Sequence, residues 1–407
     1  MINLRRHTNI ALLYFFVVGL LGLFLRLYFV TPLPANFRYV VHAHSHIALL
    51  GWVYIALSTL IYKMYFNQEG KGGTYLRIFI FTQVTLVGML VTFPLQGYAL
   101  FSIIFSTLFL FASYFFAWFV FKNISLSFRQ TYSYRLIKVA LWFMVISSIG
   151  PWAISVVMVT LGSTSIWYKL SIYFYLHFQY NGWFILALCG VLFFVLENSG
   201  AVISKKEFSR FYNLIIFSII LTFFLSVLWV KPPIIFYILA AAGAILQMVA
   251  FWKLYAIVKE NKEKIQSSLT PFIQNLLKLA GLFLVIKILM QLLTAIPYFA
   301  ELSYTYIDFV VGYLHLVFLG VVSIALFAFL EYFRLLQIPK SVFYLYLTGF
   351  FLSEALIFYK GLAIWLALPF FSHYFLTLMI ISALIPIAVV IILAYNLKNP
   401  KDYSPLS

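Results

Sequence analysis

Apolar runs of about 20 residues follow one another along almost the whole chain, separated only by short polar connections. A helix rises about 1.5 Å per residue, so each run is long enough to cross a hydrocarbon layer about 30 Å thick. Within that layer the backbone must satisfy its own hydrogen bonds, and an unbroken apolar run does so as a helix. The runs predict twelve spans, near residues 8–32, 39–66, 76–96, 97–121, 134–162, 170–196, 207–230, 233–257, 273–297, 304–333, 342–369 and 375–396. Composition removes the water-soluble alternative: 65% of the 407 residues are hydrophobic and 9% charged, where a soluble domain is about a quarter charged.

The connections hold no stretch rich enough in Gly, Ser or charge to link soluble domains, so we read residues 1–407 as one polytopic domain. The longest connection, 259–271, carries Glu260, Lys262, Glu263 and Lys264. The first apolar run is too long for a cleaved signal and is followed by no small-residue cleavage site. Lys and Arg in short loops mark the cytoplasmic side. With the N-terminus inside, all of the 27 basic residues except Arg26, Arg38, Lys169, Lys231, Lys287 and Lys360 fall at cytoplasmic ends. Both termini are therefore expected inside, in a bacterial-type inner membrane. The formal charge of +17 then reports topology and headgroup contact, with no call for nucleic acid. A lone cysteine, Cys189, sits in an apolar span, which leaves no disulfide framework and no thiolate metal site.

Chemistry must come from nitrogen and oxygen ligands, and the histidines carry the information. His7 and His373 lie at membrane edges or in loops and are read as bland. His42, His44, His46, His177 and His315 lie inside spans, where a polar group is costly and usually faces the interior as a ligand, relay or substrate contact. Three segments share one pattern of His, four residues, Gly, four residues and Ala-Leu: His46 to Leu57 with Gly51, His177 to Leu188 with Gly182, and His315 to Leu326 with Gly320. They fall on the second, sixth and tenth spans. The chain is thus expected to be all-α and to consist of three pseudo-repeats of four spans, about 8–121, 134–257 and 273–396. A weaker echo joins Lys138, Ala140 and Phe143 in the fifth span to Lys278, Ala280 and Phe283 in the ninth. By helical rise, His46, His177 and His315 form one layer about 10–17 Å below the outer surface. The glycines let a neighbouring helix or a flat cofactor approach.

Twelve spans, termini inside, pseudo-threefold groups and histidines on spans two, six and ten resemble the heme-copper oxidase subunit I superfamily, over the full length as architecture and specifically around these three spans. The resemblance implies a low-spin, b-type haem held by one histidine from the second span and His315 from the tenth. His42-Ala43-His44 is similar to the family's Thr-Ala-His and points to His44, whereas the repeat register points to His46; both stay open. Arg26 and Arg38 would then meet the haem propionates. The departures are equally specific. The seventh span has no histidine, the tenth has His315 alone, and His177 lacks the family's His-Pro-Glu-Val-Tyr continuation, although Tyr180 is one turn on. A complete oxygen-reducing centre and pumping by the usual route are not expected; enzymatic activity stays open. The expectation is an electron-transfer or gas-responsive membrane component, with an electron donor or respiratory-type subunits as partners.

Two other readings use the same residues. His46, His177 and His315, with His42 as an accessory ligand, could hold a Zn or Cu ion at an open three-imidazole site. Alternatively Lys287, Glu354 and Lys360, with Gln179, Tyr180 and Asn181 beside His177, would suit a transporter or proton relay. Pro94, Pro151 and Pro386 are expected to kink spans. Trp52 and Trp183 follow repeat glycines and are read chiefly as packing, while Glu197 and Glu331 are read as solvated helix ends.

Overall fold

A computed structural model describes residues 2–66 and 71–399 of the chain. It is helical, with no strand among the described residues. Among the described residues, twelve helices are long and apolar enough to cross a membrane: α1 Leu4–Leu27, α2 Phe37–Tyr65, α3 Gly72–Gln96, α4 Leu100–Asn123, α5 Tyr132–Thr160, α6 Ile166–Asn198, α7 Lys205–Val230, α8 Ile234–Glu260, α9 Pro271–Thr294, α10 Ile307–Tyr332, α11 Lys340–Trp365 and α12 Tyr374–Lys398. All twelve expected spans are present. The largest difference is in the first, expected at 8–32. Asn3 starts α1 early by accepting the Arg6 N–H on its side chain, and Pro32 and Pro34, lacking N–H groups, do not extend it. Asn36 then caps α2 by accepting from the N–H groups of Arg38 and Tyr39.

Burial separates the helices into two kinds. In α2 and α6, 89% of the apolar window is buried, and in α10 72%; in the other nine the share is 28–44%. A helix that is apolar all round belongs inside, whereas the other nine keep broad apolar surface outward. These same three helices change winding midway. A π-helical segment begins on the residue after His46, His177 and His315, as Ile47–Tyr54, Phe178–Ile185 and Leu316–Ser323. Wider i to i+5 winding is rare and frequently found at functional sites.

Two compact units divide the chain: Met1–Asn123 with Leu326–Ser407, and Ile124–Ala325. In the first, α1 packs on α12, α11 on α12, α3 on α4, and α2 lies against α1 and α3. In the second, α7 packs on α8, α5 on α6, and α9 on both α8 and the π segment of α10. The glycines of the first two π segments seat the preceding helix. A Cβ on Gly51 would come within 2.8 Å of the Tyr14 ring, and one on Gly182 within 2.7 Å of Phe143. Trp52 stacks on Phe15 with ring centroids 4.8 Å apart, so it packs.

The prolines act locally. Pro94 and Pro386 sit within α3 and α12. In α5 the α-helix breaks at Ser148, between Tyr132–Ser147 and Ile149–Thr160, where Pro151 has no N–H to offer the Ser147 carbonyl.

The polar ends of the spans are tied down by side chains. Asn123, Asn261 and Asn396, at the ends of α4, α8 and α12, each donate to the carbonyl four residues back. Asn261 also accepts from Val202 N–H and donates to Val202 O, and Asn396 does the same with Gln337; both pairs are 59 residues apart. Glu197 and Glu331, read from the sequence as solvated ends, instead accept backbone N–H groups. Glu197 takes those of Tyr132 at 2.6 Å and Ser133 at 3.3 Å, and Glu331 takes that of Ile338 at 2.9 Å. A carboxylate accepting the first N–H groups of a helix satisfies donors that otherwise lack partners. Beyond the spans, Lys231 pairs with Glu301 at 2.8 Å, and that carboxylate raises the lysine's pKa. Asn261→Ala and Asn396→Ala each remove three hydrogen bonds that hold a loop, so each should lower stability by about 1–3 kcal/mol, read as an earlier midpoint in denaturant unfolding.

Candidate functional site

The three histidines of α2 diverge because residues two apart on a helix face nearly opposite ways, whereas residues four apart share a face. His44 turns toward α1. Its Nδ1 lies 3.1 Å from the Val18 carbonyl, and only an N–H can meet a carbonyl oxygen there. The ring proton is therefore on Nδ1, and Nε2 keeps its lone pair. Nε2 has no hydrogen-bond partner among the described residues. Gly22, one turn beyond Val18, makes room for the ring: a Cβ there would approach His44 Cε1 to 3.2 Å.

His46 and His42 turn the other way. His46 Nδ1–H donates to the His42 carbonyl at 2.8 Å, and its Nε2 accepts from the Tyr98 hydroxyl at 3.1 Å. Both nitrogens are engaged, with Phe93 against the ring at 4.4 Å. His42 packs edge-on to Tyr98 at 4.5 Å. The two histidines left open by the sequence thus differ in one respect that matters to a metal: His44 has a lone pair to offer and His46 has spent its own on Tyr98.

Charge near His44 comes from α1. Arg26 is partly buried, donates from Nη1 to the Leu378 carbonyl at 3.3 Å, and is an electrostatic neighbour of both His44 and Glu354. Glu354 on α11 is 7% exposed, and among the described residues neither carboxylate oxygen has a hydrogen-bond partner. Arg38, the other candidate for a propionate, is exposed in the first turn of α2. Lys360 lies 5.9 Å from the ring centres of Phe29 and Phe375.

In the second unit, His177 belongs to a closed chain of polar side chains. It is 1% exposed; Nε2–H donates to the Ile219 carbonyl at 2.8 Å, and Nδ1 accepts from Asn181 Nδ2 at 3.3 Å. Asn181 Oδ1 accepts from Lys287 Nζ at 2.6 Å, and Lys287 also donates to Gln247 Oε1 at 3.4 Å. Lys287 is fully buried and makes no ion pair with a described residue. Among the described residues its Nζ meets amide oxygens alone. Gln179 and Tyr180 are buried beside this chain. His315 closes the α-helical stretch Ile307–His315 and immediately precedes the third π segment. Among the described residues, no three or more His, Cys, Asp or Glu side chains form a group able to hold a metal ion.

The sequence reading missed His7. Far from a bland edge residue, it is buried, lies flat on Phe79 with centroids 3.6 Å apart, and places Nδ1 3.3 Å from the Tyr75 hydroxyl. Tyr75 and Phe79, four residues apart on one helical face, were the available signal.

Compared with known proteins, the chain matches no family model and no curated protein sequence.

Proposed function

We propose that the protein is a membrane haem protein, a reduced relative of heme-copper oxidase subunit I, with His44 as an axial ligand. The observation that carries this reading is the forced tautomer of His44: a carbonyl holds Nδ1–H and leaves Nε2 with a lone pair. A backbone acceptor behind a ligating imidazole fixes the ring and raises its basicity. Gly22 keeps the ring's seat open, and Arg26 supplies a cation for a propionate. A haem bound there supplies one-electron or gas-binding chemistry, its potential set by axial ligands, hydrogen bonds and burial. The family resemblance assigns the second axial position to His315.

The rest of the account follows from the same pattern. We read the chain as three repeats of four spans with both termini in the cytoplasm, in a bacterial-type inner membrane, with an electron donor or respiratory-type subunit as partner. The π segments following the three histidines, the glycines that seat Tyr14 and Phe143, and the asparagines ending α4, α8 and α12 support the repeats. The distribution of Lys and Arg supports the orientation. The three-imidazole Zn or Cu reading needs a ligand nitrogen from His177, and both of its nitrogens are engaged. The polar chain around Lys287 acts as a tie between α6, α8 and α9.

An absorption spectrum and metal analysis of the purified protein test the proposal. A Soret band that shifts on reduction supports it. Bound Zn or Cu without a Soret band favours the three-histidine ion instead, and the absence of both contradicts each.

A further inference from the structure

We propose that a groove along α1 and α3 of the first unit binds one anionic phospholipid, with its phosphate at Arg6 and an acyl chain along the valines of α3. The groove encloses about 790 Å³, within the range of specific small-molecule sites. It follows α3 from Leu76 to Thr92, about 24 Å at the rise of a helix, which is most of one hydrocarbon layer.

Its chemistry is graded from one end to the other. Helices α1 and α3 run the same way here, because His7 stacks on Phe79 and, further along both, the Tyr14 hydroxyl donates to Gln83 Oε1 at 2.9 Å. Arg6 therefore stands at the end where both helices begin. It is exposed and its side chain has no hydrogen bond or ion pair with a described residue. Past it the wall is apolar: Val84, Val87 and Val91 are all outward-facing and more than half exposed. A polar side chain, Gln83, interrupts the apolar stretch. Tyr14 fixes Gln83 by its oxygen, and Nε2 is a buried donor without a partner among the described residues.

These features select the occupant. A helix from a second copy would set apolar side chains against Arg6 and leave Gln83 Nε2 unmet. A phospholipid brings a phosphate for the arginine, ester carbonyls that can accept from an amide N–H, and a chain for the valines. A basic residue at a membrane surface favours an anionic over a zwitterionic headgroup.

Native mass spectrometry and thermal unfolding of the delipidated full chain, titrated with phosphatidylglycerol or phosphatidylcholine, test this. Wild type should retain one phosphatidylglycerol and be stabilised by it more than by phosphatidylcholine. Arg6→Gln should bind phosphatidylglycerol about fivefold more weakly, Arg6→Lys should keep the preference, and Val87→Trp, which fills the groove, should lose the bound lipid. Equal response to the two lipids, retention of the lipid by Val87→Trp, or a dimer cross-linked through α3 would overturn the proposal. None of these outcomes depends on haem content.

Discussion

Asn181→Leu should destabilise the protein by about 3 kcal/mol or more, while Lys287→Met costs far less and the double variant regains most of the loss. The single change at Asn181 strips Lys287 of its 2.6 Å acceptor and His177 of the amide that donates to Nδ1. What remains is a fully buried amine inside a membrane span, with the longer 3.4 Å contact to Gln247 Oε1 in place of its best acceptor. An uncompensated charge at the centre of a helical span costs about 2.5–3.5 kcal/mol on insertion scales. The hydrogen bonds lost are a smaller part, since interhelical bonds in membranes average about 0.6 kcal/mol. Removing the lysine as well eliminates the group that suffers. The check is a double-mutant cycle by denaturant unfolding in detergent. Strict additivity of the two changes would show that Asn181 and Lys287 do not act as a pair.

Gly243→Leu should be strongly damaging, reducing folded protein to a small fraction of wild type. A Cβ at Gly243 would stand 2.7 Å from both Leu221 Cβ and Thr222 N, and 2.8 Å from the Leu221 carbonyl carbon. Two of those three atoms are backbone, so no rotamer change relieves the clash, and α7 and α8 must separate. Overpacking costs about 1–3 kcal/mol where side chains can adjust and more where they cannot. Gly281 on α9 supplies the control, because a Cβ there meets nothing within 4 Å. Gly281→Leu should stay within about 0.5 kcal/mol of wild type. Size-exclusion profiles after detergent extraction separate the two, and equal yields would contradict the close approach of α7 and α8.

The spans were legible because membrane thickness imposes one length on every apolar run, and the buried status of α2, α6 and α10 follows from histidines that a lipid-facing helix would not carry. Other features depend on geometry that a linear pattern does not encode. The start of α1 rests on Asn3 accepting the Arg6 N–H, and no periodicity distinguishes the π segments from α-helix. Asn181 and Lys287 both stood out as polar residues in apolar spans, but 106 residues separate them, and their contact is tertiary. His44 and His46 could not be ranked from sequence, since both are histidines two positions apart. The ranking came from what meets each nitrogen: Val18 O behind His44, and His42 O together with Tyr98 around His46. Glu197 looked like a solvated end because its backbone partner lies 65 residues away, and Glu331 because the chain must turn back after α10 to bring Ile338 N–H to it.

The role proposed for His44 is to offer Nε2 to a haem. Its most direct test is haem content per chain, measured by Soret absorbance and haem extraction, for wild type, His44→Ala and His46→Ala purified side by side from cells supplied with haem. Wild type should carry haem, most of it lost in His44→Ala and most of it kept in His46→Ala, because the His46 nitrogens of wild type serve His42 O and Tyr98. Undiminished haem in a folded His44→Ala variant, or none in wild type, would contradict it.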